Sequence, residues 1–160
     1  MSKTLLVNTS RTVKDGMSEA DKLHYTVGIW PFHKGQTLAD IEADLDFILG
    51  ITNGICTVVK KVAGARLTED GSRFEVIVDS DDDLDDEMAG LLGQRIAPEF
   101  AWKPGQGWPV KFFDTQALRD AHQAGPPEVA LAGYRLTVDA DGTAHLYLPR
   151  GGDVHVHAGA

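Results

Sequence analysis

Four segments with a strand-like hydrophobic pattern lie between residues 23 and 113, and they constrain the fold more than any other feature. Apolar and polar residues alternate in residues 23–30 and 73–79, which is the pattern of a strand with one buried face. Residues 55–62 are rich in β-branched side chains, and residues 110–113 form a short apolar run. We therefore predict four strands, with the core-facing side of the third made by Phe74, Val76 and Val78.

Two segments between these strands have the 3.6-residue period of an amphipathic helix. Residues 37–49 place their apolar side chains on one face, and Thr37 with Asp40 approximates an N-terminal capping box. Residues 81–97 repeat the pattern, and Pro98 ends it. The order strand, helix, strand, strand, helix, strand predicts an α+β fold of the ferredoxin-like, split βαβ type, with both helices on one face of an antiparallel sheet.

This pattern divides the chain into three predicted regions. Residues 1–22 form an N-terminal arm with a possible short strand, residues 23–113 the α+β core, and residues 114–160 a C-terminal extension. The extension should contain a short helix at 115–123 and a β-hairpin around Asp141-Gly142. One side of the hairpin is apolar. Because a lone hairpin is marginally stable in water, we expect this side to be buried against another surface. The apolar side comprises Tyr134, Leu136, Val138, Leu146 and Leu148.

The last residues, RGGDVHVHAGA, place a Gly-Gly hinge before alternating Val154 and Val156. An extended segment of this kind suits strand addition to the exposed edge of another sheet. We therefore predict that the hairpin or the tail, with the N-terminal arm, reaches an adjacent copy and helps to build a homo-oligomer.

Aromatic residues next to proline and glycine form a second set of candidate contacts. Trp30 and Phe32 flank Pro31, and Trp102 and Trp108 flank a Lys-Pro-Gly-Gln-Gly loop. Tryptophans in such loops either fold back over the core or face a partner, and the sequence leaves both alternatives open.

An acidic run precedes the second predicted helix, with seven acids among the nine residues from 79 to 87. Acids in the first helical turn interact favourably with the helix dipole, but seven exceed that role. The run lacks the glycine of an EF-hand loop, so a solvated helix start is favoured over a calcium site. With the acids of residues 36–54, and a net charge of −9, it predicts one strongly negative face.

That face suggests an alternative function, an acidic inhibitor that mimics DNA and binds a basic partner. Its contacts would come from Asp81, Asp82, Asp83, Asp85 and Asp86. Direct binding of nucleic acid is disfavoured by the charge, and because the third strand offers a single aromatic residue, Phe74.

Catalytic signals are weak, although a small ferredoxin-like enzyme stays an open alternative. No nucleophile elbow, phosphate-binding loop or zinc-protease motif occurs, and Cys56 lies within a strand pattern. His155 and His157 have the spacing of a metal pair but lack a third ligand. We predict no cofactor and no metal, and a protein without enzymatic activity.

The stretch RFEVIVDSDDDLDDEMAGLLGQRIAP resembles the strand, acidic helix start and "R-I-x-P" helix end of some tail-terminator proteins of long-tailed bacteriophages. The strand before the first helix and the C-terminal extension depart from that pattern. The resemblance implies a virion component that assembles with copies of itself, and with virion or host proteins. With no signal peptide and no apolar run of about 20 residues, we expect a cytoplasmic or virion location, away from membranes.

Overall fold

The computed structural model describes residues 1–79, 84–123, 128–138 and 141–157, and its main feature is a six-stranded mixed sheet. The strand order is β2-β5-β4-β3-β1-β6; β1 and β3 are parallel, and all other neighbours are antiparallel. The strands are β1 (Lys3–Asn8), β2 (Ile29–Pro31), β3 (Leu45–Thr52), β4 (Ile55–Leu67), β5 (Arg73–Val78) and β6 (Val110–Asp114).

Short helices and a separate small sheet complete the described part of the chain. The helices are α1 (Glu19–Val27), α2 (Leu38–Asp44), α3 (Asp86–Ala89) and α4 (Thr115–Gln123). The small sheet is antiparallel in the order β7-β8-β9, with β7 (Glu128–Leu131), β8 (Tyr134–Val138) and β9 (Ala144–Tyr147). No helix in the described ranges is long and apolar enough to cross a membrane.

The predicted ferredoxin-like fold is wrong. The main sheet has six strands and includes a parallel pair, and two of the four short helices flank it on opposite faces. Ile41 of α2 belongs to one buried cluster, with Leu5 and Ile48, whereas Met88 of α3 belongs to another, with Leu6 and Leu49. Since neighbouring residues of a strand point to opposite faces, the two clusters lie on the two sides of the sheet.

The expected helix 37–49 ends after seven helical residues because its second half is the strand β3. Thr37 is the N-cap and forms the predicted capping box with Asp40, but Leu45 already has extended backbone angles. β3 is buried on both faces, so its apolar residues are nearly continuous and fit a helical period equally well. Asn53-Gly54 is the turn between β3 and β4, with φ of 52° and 81°, as in a type I′ hairpin.

Residues 23–30, expected as a strand, lie mostly in α1. Ser18 caps this helix by accepting a hydrogen bond from the backbone N–H of Asp21 at 3.2 Å. Thr26 is fully buried, and the sheet is so near that a Cβ on Gly50 would collide with its hydroxyl. The apolar alternation is therefore coincidental, because a helix presents its buried side every three or four residues.

Two further predicted segments also differ. The expected helix 81–97 is helical only over α3 in the described residues, and turns follow, although Leu91 and Ile96 remain buried. The expected N-terminal arm supplies β1, which lies between β3 and β6 and buries Leu5, Leu6 and Val7 completely. The strands expected at 73–79 and 110–113, the helix expected at 115–123 and the expected hairpin correspond to β5, β6, α4 and the pair β8–β9.

The main sheet curls until its two ends approach each other. The ring centroids of Phe74 in β5 and Phe112 in β6 are 6.4 Å apart, although three strands separate β5 from β6 in the sheet order. β4 makes this possible, since it pairs with β3 through its first half and with β5 through its second, with an irregularity between Val62 and Gly64. Bulges of this kind bend a strand and increase its twist.

Candidate interaction site

An aromatic cleft of about 600 Å³ opens between the start of β2 and the loop that leads into β6. We call it the Trp cleft. Its apolar part includes Tyr25, Ile29, Trp30, Trp108 and Pro109. Tyr25, Ile29 and Trp108 are 40%, 51% and 48% exposed, so three large apolar side chains face solvent at one place. Contiguous exposed apolar surface of this kind commonly marks an interaction site.

Gly28 shapes one wall of the cleft. It ends α1 with φ of 28°, and a Cβ at this position would lie 2.7 Å from the Trp30 ring. The Trp30 Nε1 donates a hydrogen bond to the carbonyl oxygen of Thr26 at 3.3 Å. The indole therefore folds back over the end of the helix, and a side chain at residue 28 would force it away.

The opposite wall is held by side chains around Trp108. The Trp102 Nε1 donates to the Trp108 carbonyl oxygen at 2.7 Å, and the Trp108 Nε1 donates to His33 Nε2 at 3.3 Å. Lys111 Nζ donates to the Ala101 carbonyl oxygen and to Gln106 Oε1, both at 3.0 Å, and lies 4.9 Å from the Trp102 ring centroid. The pKa of Lys111 is lowered, mainly by desolvation. This loop is thus a fixed wall.

Polar side chains complete the cleft lining, and two of them are basic. They include Asn8, Arg11, Thr12 and His24, and His24 packs edge-on against Tyr25 with ring centroids 5.4 Å apart. Among the described residues, no carboxylate forms an ion pair with Arg11. The cleft therefore offers an aromatic surface with an uncompensated positive charge, on a chain whose net charge is −9.

The four aromatic residues singled out from the sequence divide into two pairs. Trp30 and Trp108 meet in the Trp cleft. Phe32 packs against the core beside Phe74, with ring centroids 5.1 Å apart, and Trp102 packs against the cluster around Met88 while bracing the Trp108 loop. Tyr25, Ile29 and Arg11 also line the cleft, although they are not among the contact residues predicted from the sequence. The spacing Ser18-x-x-Asp21 was the signal that could have placed Tyr25 on a helix.

Much of the described acidic run has a local structural role. Asp85 is the N-cap of α3 and accepts a hydrogen bond from the Met88 N–H at 2.9 Å. Arg119 contacts Asp85 at 2.6 Å and Glu87 at 2.9 Å. Hydrogen bonding by Arg119, and then by the Met88 N–H, lowers the pKa of Asp85, and the same ion pairs raise the pKa of Arg119. Asp86 lies in the first turn of α3, while Asp81, Asp82 and Asp83 lie outside the described residues.

The expected single negative face depended on the predicted fold. Because α2 and α3 lie on opposite sides of the main sheet, their acids do not share one face. In the described residues, the acids of the two helices therefore do not form the single negative face on which the DNA-mimic alternative rests.

The small sheet has an exposed apolar face. Leu131, Leu136, Leu146 and Leu148 are 77%, 38%, 43% and 49% exposed. Leu136 pairs directly with Leu146, so their side chains share one face, and alternation adds Tyr134 and Leu148 to it. The other face carries Arg135, whose guanidinium lies 4.3 Å from the Tyr147 ring centroid. We call the leucine side of this sheet the leucine face.

The tail starts from a fixed point beside this sheet. The Tyr134 hydroxyl lies 3.2 Å from both the backbone nitrogen and the carbonyl oxygen of Asp153. Pro149 packs closely against Gly133 and Gly152, since a Cβ on either glycine would approach the proline ring to about 3 Å. Beyond this anchor, Val154 is 39% exposed and Val156 90% exposed.

The groups considered for chemistry are dispersed in the described part of the chain. No set of three histidine, cysteine, aspartate or glutamate residues there could hold a metal ion. Cys56 is buried, and desolvation raises the pKa of its thiol to about 12. His155 and His157 are exposed on the tail.

Comparison of the chain with models of known protein families, with curated proteins and with solved structures found no match.

Proposed function

We propose that this protein is a non-enzymatic assembly protein that forms homo-oligomers, with the leucine face as the main contact between copies. The observation that carries the proposal is the exposure of four leucines on one side of a three-stranded sheet. Burying apolar surface stabilises association by roughly 25 cal/mol per Å². A small sheet with an apolar face is stable when that face packs against something.

A second copy is the occupant that fits this face best. Among the described residues the face is made mainly of leucines, without a charged group that would select a polar partner. Two apolar faces related by a twofold axis are chemically compatible, and the symmetry repeats each contact between two residues. The sequence of residues 73–98, which resembles bacteriophage tail-terminator proteins, suggests a virion, at the head, neck or tail, as the assembly. Of the expected elements, β5 is present, whereas turns replace the helix end at residues 90–98.

Sedimentation equilibrium or native mass spectrometry tests the contact. Leu131→Glu is the sharpest variant, because Leu131 is 77% exposed and we therefore expect its replacement to leave the monomer folded. We expect the wild type to be oligomeric. In Leu131→Glu the dissociation constant of the oligomer should rise at least tenfold, since a charge would be buried in the contact. Tyr147→Glu is the matched control, because Tyr147 is 48% exposed on the opposite face. A wild type that stays monomeric at high concentration would contradict the proposal.

A further inference from the structure

We infer that the Trp cleft of one copy binds the tail of a second copy, residues 153–157. This inference rests on the proposed function, and it assigns the cleft a partner of defined chemistry. The cleft and the tail match in apolar character and in charge, and each match rests on named residues.

The tail is an exposed segment with a fixed starting point. Tyr134 holds the backbone of Asp153 at both its N–H and its carbonyl oxygen, 3.2 Å from each. The residues that follow are not assigned to any helix or strand, and Val156 is 90% exposed. If the tail binds in an extended conformation, Val154 and Val156 lie on one side of it, which is the arrangement that inserts alternate side chains into a groove.

The cleft runs along an open sheet edge. β2 is the last strand of the main sheet, so one of its edges is paired with β5 and the other has no strand partner among the described residues. Gly28, Ile29 and Trp30 line the cleft on that side. An extended tail can therefore place its valines between Trp30 and Trp108 beside an open strand edge. Pro31, which has no N–H, limits any backbone pairing to a few hydrogen bonds.

Charge fixes the position of the tail along the cleft. Arg11 has no ion-pair partner among the described residues, and the Asp153 carboxylate has none either. Asp153 lies directly before the two valines, and Arg11 lies beside the aromatic residues of the cleft. An ion pair between them would place Val154 and Val156 over the indoles.

A second copy is the inferred source of the bound tail because the tail does not occupy the cleft of its own chain. The cleft lining contains no residue of the tail, and the tail is anchored on the small sheet through Tyr134. If copies exchange their anchored tails, each tail joins two copies that are also in contact through their leucine faces. That contact raises the effective concentration of each tail at the neighbouring cleft.

A truncated variant that ends at Gly152 provides an empty cleft. We would titrate it with a synthetic peptide of residues 150–157, RGGDVHVH, and follow tryptophan fluorescence. We expect saturable binding that Trp108→Ala weakens by about tenfold or more, since a central tryptophan commonly dominates a contact. Leu92→Ala is the control, because Leu92 is 54% exposed and lies outside the cleft lining. Absence of saturable binding, or equal binding by Trp108→Ala, would overturn the inference.

The charge complementarity has its own test. Arg11→Glu should weaken binding of the same peptide by about threefold to tenfold, as expected for reversing one solvent-exposed ion pair. A peptide carrying Asp153→Lys should bind Arg11→Glu better than the original peptide does. Equal binding of both peptides to both forms of the protein would remove Asp153 and Arg11 from the inferred contact.

Mixing two variants, one full-length and one truncated, distinguishes binding to a neighbouring copy from binding within the same chain. Each carries Leu131→Glu to silence the leucine face, and one adds Trp108→Ala while the other ends at Gly152. If the tail enters a neighbour, the intact tail of the first binds the intact cleft of the second, and a 1:1 complex forms. Failure to associate while the peptide still binds would overturn the second-copy assignment. Because both variants lack a working leucine face, this result is independent of the test of the proposed function.

Discussion

The indole Nε1 of Trp108 donates a hydrogen bond to Nε2 of His33 across 3.3 Å, although 75 positions separate the two residues in the chain. The His33 ring also packs edge-on against Phe112, with ring centroids 5.1 Å apart. His33 follows β2 and Phe112 belongs to β6, so these contacts join the two end strands of the curled sheet. The shape of the Trp cleft thus depends on a residue outside its lining.

Replacing His33 with phenylalanine should loosen the Trp108 wall. The variant keeps an aromatic ring beside Phe112 but cannot accept the indole hydrogen bond, so we expect the free energy of unfolding to fall by about 0.5–1.5 kcal/mol. Acrylamide should also quench tryptophan fluorescence more strongly. Urea denaturation and quenching measure the two effects, with Tyr147→Phe, an exposed aromatic residue outside the cleft lining, as control. Unchanged stability and quenching would show that the hydrogen bond does not hold the loop.

The roles of Asp85 as N-cap and as ion-pair partner can be separated by two substitutions. Asp85→Asn keeps a good N-cap but weakens the contact with Arg119, so it should cost about 0.2–1 kcal/mol of unfolding free energy. Asp85→Ala loses both roles and should cost about 1–2 kcal/mol. Chemical denaturation measures both, and Asp86→Asn is the control within the same helical turn. Equal costs for Asn and Ala would mean that capping contributes nothing here.

The contribution of Asp85 should also depend on pH. Its pKa in the folded protein lies below the ordinary value of 3.8, chiefly because of Arg119. The unfolded chain therefore binds the proton more readily, and the stabilisation is complete above about pH 4 and lost as the pH falls through the lower folded pKa. The difference in unfolding free energy between wild type and Asp85→Asn should shrink in acid. A difference that does not shrink as the pH falls below 3.8 would contradict this assignment.

His122 should make stability depend on pH in a higher range. Its Nε2 accepts a weak hydrogen bond from the Ala97 N–H at 3.4 Å, its ring stacks on Phe100, and desolvation lowers its pKa from 6.5 although Glu99 opposes this. Because the pKa of His122 is lowered in the folded protein, the neutral imidazole contributes stability that is present above pH 6.5. This stability is lost as the pH falls through the folded pKa. His122→Phe should flatten the unfolding free energy between pH 7.5 and 5. An unchanged pH dependence in His122→Phe would contradict this assignment.

Gly50 is predicted to be essential for packing α1 on β3. A Cβ at this position would collide with the Thr26 hydroxyl and lie 3.2 Å from the Val58 Cβ. We expect Gly50→Ala to lower the unfolding free energy by about 1–3 kcal/mol, and the added Thr26→Ala to restore part of it. Thermal denaturation measures both, and Gly64→Ala is the control because a Cβ there meets no atom within 4 Å. No loss in Gly50→Ala would contradict the close packing.

The sequence by itself determined the elements whose signals are local. The capping box of Thr37 and Asp40, the alternation in β5 and the amphipathic pattern of α4 all act within a few residues, and all three are present. The small sheet likewise follows from a glycine turn between apolar runs, with Gly142 at φ of 87°. Such features can be predicted without knowing the fold, because they are set by hydrogen bonds and steric limits within a few residues.

Tertiary structure decided how the remaining apolar segments are used. β3 lies between β1 and β4 and is covered on both faces, so it lacks the alternation of apolar and polar residues that would have distinguished it from a helix. The Trp cleft likewise exists only because the sheet curls and brings Trp30 and Trp108 together. Residues far apart in sequence meet through packing and strand pairing, and a local hydrophobic period carries no information about which distant surface will cover it.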